Sequence, residues 1–235
     1  MLNRKIVISI YFSILALSIL EASPTSSSNL KRGRDRNLLT FDVEDGRNKI
    51  IKFDIRYIEQ SQFEDVVHIL AQHSNEEALS ASYLASSGLE AMKRVWRNQL
   101  SEKLSVACFK RGSKEIIGIL MLNKNQKKPN DHTRKYELIP RFSIFEHHLI
   151  NEYLSGDSMY VSPQYSRYGI KKQLLLATEP VCQDNGLEVA ASYFTSPSLN
   201  EIAEEAGFEI IRDCGPVNRG DPNNIIYFRS KRYYY

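Results

Sequence analysis

Cysteine is scarce in this chain: Cys108, Cys182 and Cys214 are the only ones in 235 residues. That excludes a disulfide-built scaffold, and an odd number leaves at least one thiol free or paired with another chain. No Cys-x-x-Cys, His-Glu-x-x-His or Gly-x-Ser-x-Gly occurs, so the common zinc and serine-hydrolase signatures are missing. An excess of one charge is missing too. Lys and Arg number 31 against 28 Asp and Glu, a net charge of +3, which argues against nucleic acid as the main partner because phosphate-tracking proteins concentrate basic residues. There is no glycosylation sequon, and no repeat of roughly 20–50 residues recurs. What remains is ordinary globular composition, 42% hydrophobic and 25% charged, of a length that suits one domain with some added sequence.

A long apolar run occurs once, at the start. Arg4 and Lys5 precede Ile6 to Leu20, which is apolar apart from isolated serines, and Ala22 and Ser23 follow. Residues 1–22 read as a secretory signal peptide cleaved after Ala22, with secretion as the expected destination and no stable membrane insertion afterwards. The alternative is a membrane anchor of type II topology, kept open by Lys31, Arg32, Arg34 and Arg36 behind the run, although the run falls short of the roughly 20 residues a span needs. Residues 23–48 are polar and without periodicity and are expected to be a flexible extension, with "VEDGRN" as a turn.

From Lys49 to Tyr235 the pattern is that of a folded domain. "KIIKFDIRYI" alternates as a half-buried strand. "SQFEDVVHILAQH" has helical spacing, with Ser61 placed to cap it, and "GLEAMKRVWRNQLSEK" is a second amphipathic helix turning Leu89, Met92, Val95, Trp96 and Leu100 inward. "LSVACFK" and "EIIGILMLN" form a hairpin about Gly112, with Cys108 as a core residue. A lysine-rich loop at 124–137 and a helix in "RFSIFEHHLINEYL" are expected next. "SMYVSP" is a strand, and "GIKKQLLLATEPVCQDNG" is a helix bent or split by Pro180 and stopped by Gly186. "LEVAASYF", "SPSLNEIAEEAGF", "FEIIRD" and "NNIIYFRSKRY" then read strand, helix, strand, strand. The order implies a mixed α/β sheet with helices on both faces.

Four of these words, in this order and spacing, resemble the GNAT acetyltransferases, and more closely their insect arylalkylamine N-acetyltransferase branch: "NEEALS", "LSVACFKRGSKEIIGILM", "YVSPQYSRYGI" and "IAEEAGFEII". The resemblance implies the acyl-CoA N-acyltransferase fold, acetyl-CoA as co-substrate and a small arylalkylamine as acceptor. It places acetyl-CoA at Val161, Ser166, Arg167, Tyr168, Gly169, Ile170 and Lys171. In the family's Gln/Arg-x-x-Gly-x-Gly/Ala pattern only Gly169 fits, because Ser166 stands first and Lys171 last. The amides entering that helix can still face a pyrophosphate. The other reading is a plain strand–helix turn filled by its larger side chains.

The resemblance also implies Glu77 as the base, acting through water, and Thr195 as the acid that returns a proton to the thiolate. Away from the resemblance, Glu76 and Glu77 read as a solvated acidic pair. Thr195 and Ser196 likewise read as helix caps. The second hydroxyl position of the branch falls on Leu199. Two functions follow: an N-acetyltransferase, or a secreted module of the same shape that binds a ligand or a protein partner without catalysis. His68, His147 and His148 have no metal-ligand spacing.

Overall fold

The computed structural model describes residues 36–46, 48–73, 88–126, 152–218 and 221–235. Its frame is an eight-stranded sheet. The strands are β1 (Leu39–Asp45), β2 (Lys49–Tyr57), β3 (Val106–Lys110), β4 (Ile116–Gln126), β5 (Glu152–Val161), β6 (Val189–Phe194), β7 (Glu209–Asn218) and β8 (Asp221–Arg232), in the spatial order β1-β2-β3-β4-β5-β6-β8-β7. Neighbours pair antiparallel except β5 and β6, which are parallel. The described helices are α1 (Phe63–His73), α2 (Leu89–Ser101), α3 (Ile170–Leu176), α4 (Thr178–Asn185) and α5 (Pro197–Glu205).

Helices cover both faces, as the element order requires. On one face Val66, Val67 and Leu70 of α1 and Met92, Trp96 and Leu100 of α2 pack on Ala107, Phe109, Ile119 and Met121. On the other, Ile170, Leu174 and Leu175 of α3, Val181 and Cys182 of α4 and Ala203 of α5 pack on Phe53, Ile55, Val106, Cys108, Leu120 and Leu122. Strands sandwiched this way read as near-continuous apolar runs, and "IIGILML" of β4 is buried from Ile117 to Leu122.

Several boundaries differ from the sequence reading. Leu39–Asp45, expected inside the polar extension, is the first strand: Leu39, Phe41 and Val43 alternate inward, and the Phe41 ring stacks on Phe53 at 5.1 Å. The turn after it falls in "VEDGRN" as expected, with the Asn48 amide donating to the Asp45 carbonyl at 3.0 Å. Ser61 does not cap α1. It sits in a 3-10 turn, Gln60–Gln62, and Gln62 Oε1 accepts from the Glu59 amide at 3.1 Å. Leu89 is 36% exposed because it starts α2 ahead of the first inward turn, whereas Met92, Trp96 and Leu100 are buried. Residues 124–126 extend β4 and 152–154 begin β5 where a loop and a helix were expected, and the rest of both stretches lies outside the described residues.

The expected helix break is present, and its cause is local. Pro180 has no N–H, and its ring crowds the carbonyl four residues back. That residue is Leu176, where α3 ends before α4 begins at Thr178. Gly186 then stops α4 at φ +66°, a left-handed conformation that glycine adopts without a Cβ clash. The Tyr-rich end closes the core: Tyr233 is buried and its hydroxyl shares a 2.7 Å hydrogen bond with Thr178.

Candidate active site

The site begins where two central strands part. β5 pairs with β6 only over Leu154–Ala190, Ser155–Ala191 and Gly156–Ser192. On its other side β5 stays paired with β4 through Val161, and the Ser162 amide still donates to the Ile117 carbonyl at 2.9 Å. The parting is built by side chains. The Gly156 amide donates to Ser192 Oγ at 2.8 Å, so a hydroxyl takes the place of a ladder carbonyl. A Cβ at Gly156 would lie 3.1 Å from that same oxygen, so a side chain there would crowd the contact. Beyond it, Asp157 to Val161 are all only partly buried, although β5 is the fifth of eight strands. A strand in mid-sheet that meets solvent on both faces borders a cleft. Among the described residues no strand pairs with its backbone N–H and C=O groups on the β6 side, an edge that suits an extended partner carrying amides of its own.

The turn after β5 forms the far end of the cleft. Pro163–Tyr168 is a 3-10 helix, and Gly169 follows at φ +68° before α3. A 3-10 helix closes its amides onto carbonyls three residues back. The donors open to an anion are therefore those entering α3, from Gly169 through Lys171. The turn is fixed to the sheet by aromatic rings: Tyr165 and Tyr168 lie 6.2 and 5.9 Å from Phe53. Arg167 donates to Tyr168 Oη at 2.9 Å and its guanidinium lies 5.0 Å over that ring, so the arginine is drawn along the turn. No atom lies within 4 Å of a Cβ built on Gly169, and Ser166, Arg167 and Gly169 are exposed. The corner thus leaves the Gly169 position open and carries a cationic side chain at Arg167. The unpaired edge of β5 leads toward it. Val161 and Ile170 are held differently: Val161 packs against the core and Ile170 is buried, so both shape the cleft from behind.

Thr195 follows directly on β6, at the mouth of the cleft, and is half-buried. The capping reading applies to its neighbour: Ser196 Oγ accepts from the Leu199 amide at 3.3 Å. Glu77 lies outside the described residues, as do His147 and His148. His68 is exposed on α1, and no metal-ligand cluster occurs among the described residues. The cysteines take no part in the site. Cys108 and Cys182 are buried in the core, and burial pushes both thiols up to about 12.

The sequence reading missed the acid nearest the parting. Asp157 is the bulged residue of β5, lying between the Leu122–Gly156 and Met121–Ser158 pairs. Its carboxylate accepts from Gln99 Nε2 of α2 and from Ser155 Oγ at 3.3 Å. In the orientation that satisfies its neighbours, the Asn123 amide nitrogen also lies 2.7 Å from it. Burial pushes the Asp157 carboxyl up to about 7, the charge of Glu102 adds to the shift, and the hydrogen bonds from Ser155 and Gln99 oppose it. Only the polar residues interrupting the apolar face of β4 and β5 could have signalled it.

Solved structures share this fold. The protein designated arylalkylamine N-acetyltransferase 7 of the mosquito Aedes aegypti superposes with a TM-score of 0.75 at 22% identity, over 88% of this chain and 99% of that one. The fold is that of the GNAT acetyltransferases. A second Aedes aegypti arylalkylamine N-acetyltransferase superposes at 0.65 and 13% identity, over 77% of this chain and 99% of the other. A Drosophila melanogaster polyamine N-acetyltransferase that forms N-acetylagmatine does so at 0.61 and 13%, over the same shares. No protein-family model and no curated protein matches the sequence. The GNAT fold of this chain thus rests on its three-dimensional arrangement.

Proposed function

We propose that this chain is an N-acetyltransferase that moves an acetyl group from acetyl-CoA to a small arylalkylamine. The observation that carries the reading is the parting of β5 and β6 after Gly156, which leaves the edge of Asp157–Val161 open beside a turn with unobstructed space at Gly169. The GNAT neighbours named for arylalkylamine and polyamine acetylation support the same class of reaction. Acetyl-CoA supplies an acetyl thioester whose carbonyl carbon is open to an amine. The chain supplies position: the β5 edge holds the arm, and the amides from Gly169 to Lys171, with Arg167 and Lys171 nearby, hold the pyrophosphate. Thr195 at the cleft mouth donates a proton toward the leaving sulfur. Glu77 is assigned as a base on the family resemblance. Residues 1–22 direct the chain into the secretory pathway and are removed.

Calorimetric titration of the domain with acetyl-CoA tests the reading. Binding tighter than about 100 μM, near −5.5 kcal/mol, supports it. No heat at millimolar acetyl-CoA overturns it in favour of a secreted binding module, for which Ser166 and Lys171 at the family's anchor and small-residue positions already argue.

A further inference from the structure

We infer that Asp157, with Gln99 beside it, is the site that receives the ammonium group of the amine substrate and takes its first proton. The inference rests on the transfer reading above and names a residue of this chain for the acceptor half of the reaction. Three observations carry it. Asp157 occupies the first position of β5 after pairing with β6 ends, next to the Gly156–Ser192 contact that parts the strands. It is set by a bulge, and bulges re-aim side chains beside sites. Gln99 is 1% exposed, its Nε2 donates to Asp157, and its Oε1 has no hydrogen-bond partner among the described residues. A buried acceptor without a donor costs about 1–3 kcal/mol, and here it stands beside a carboxylate. A group with several N–H donors and a positive charge satisfies both, and an alkylammonium is such a group.

The surroundings fit a cation carrying an aromatic group. Among the described residues, the polar groups facing Asp157 are Gln99 of α2, Glu102 just past its end, Asn123 of β4, and Ser155 and Tyr153 of β5. None is cationic, so the carboxylate has no resident counter-ion among them. Three residues further along β5, Tyr160 pairs opposite Ile119 and stacks on His73 of α1 at 4.5 Å, which places an aromatic pair on the same strand.

The step balances as follows. One N–H bond of the ammonium breaks toward an Asp157 oxygen, leaving a neutral amine with its lone pair and a neutral carboxylic acid. The amine nitrogen forms the new C–N bond at the acetyl carbon as the C–S bond breaks. Thr195 gives its hydroxyl proton to the departing sulfur, the second nitrogen proton replaces it on Thr195, and Asp157 later releases its proton to solvent.

The test uses phenethylammonium and the full domain without acetyl-CoA, so it is independent of whether acetyl-CoA binds. Calorimetry should show that Asp157→Asn weakens phenethylammonium binding at least tenfold at pH 8. In the unmodified protein, affinity should fall about tenfold between pH 8 and pH 6 as the carboxylate, at about 7, takes a proton. Gln99→Leu should weaken binding several-fold while retaining that pH dependence. Equal affinity in Asp157→Asn, a flat pH profile, or no phenethylammonium binding by the folded protein each overturns the inference. The acetyl-CoA titration decides the transfer reading separately.

Discussion

At the scale of the residue, the cleft depends on contacts that single substitutions can probe. Asp157 has its carboxyl raised from 3.8 to about 7, chiefly by burial. A raised acid stabilises the fold relative to the unfolded chain below its unfolded value, and that contribution is lost as pH climbs through about 7. Asp157→Asn should therefore melt higher than the parent at pH 8, by about 2–4 °C for each kcal/mol recovered. The two should converge near pH 4, and a differential melt at both pH values checks this. Ser192→Ala removes the acceptor of the Gly156 amide. It should cost about 1–3 kcal/mol in chemical denaturation, and the acetyl-CoA affinity should change with it because the strands part at that contact. The chemical logic of Gly156 and Ser192 was not legible in the sequence: they are far apart in the chain, and each alone is an ordinary strand residue.

At the scale of the element, the proposed acetyl-CoA site depends on the turn from the 3-10 helix into α3. Gly169 sits at φ +68° with no atom within 4 Å of an added Cβ. Gly169→Ala should therefore lose about 1 kcal/mol from backbone conformation alone, without a clash. Lys171→Ala tests whether charge or bulk matters at the position where the family has a small residue. With space open at the corner, the expected outcome is acetyl-CoA binding weakened about three- to tenfold, about 0.7–1.4 kcal/mol; tighter binding would mean that the lysine obstructs. Ser196→Ala removes the cap of α5 and should cost about 1 kcal/mol. Here much was legible. The Pro180 break, the Gly186 stop and the Ser196 cap follow from local chemistry, since each acts within a few residues of its own position. What escaped was the 3-10 winding of Pro163–Tyr168, because it is set by Tyr165 and Tyr168 packing on Phe53 of a distant strand.

At the scale of the whole molecule, the domain begins before the boundary that composition suggested. β1 places Phe41 on Phe53, and the Leu38 amide donates to the Ile55 carbonyl at 2.8 Å. Arg36 pairs with Asp184, which also accepts from Tyr57 Oη at 3.0 Å, joining β2 to α4. A chain beginning at Lys49 should melt about 5–10 °C below one beginning at Arg36, because the apolar face of β2 and its ladder edge are uncovered. The alternation of Leu39, Phe41 and Val43 was present in the sequence, but the charges between them, in a stretch already polar, hid a strand whose inner face alone is apolar.

By itself the sequence determined the alternation and helical spacing that build a layered α/β domain, the breaks at Pro180 and Gly186, and the residues that resemble an acetyl-CoA turn. These are local properties, written in neighbours along the chain. The tertiary structure alone decided that β5 leaves β6 after Gly156 and that Asp157 stands at the parting beside Gln99. Lateral hydrogen bonding joins segments remote in sequence, and no local pattern states where such pairing will stop.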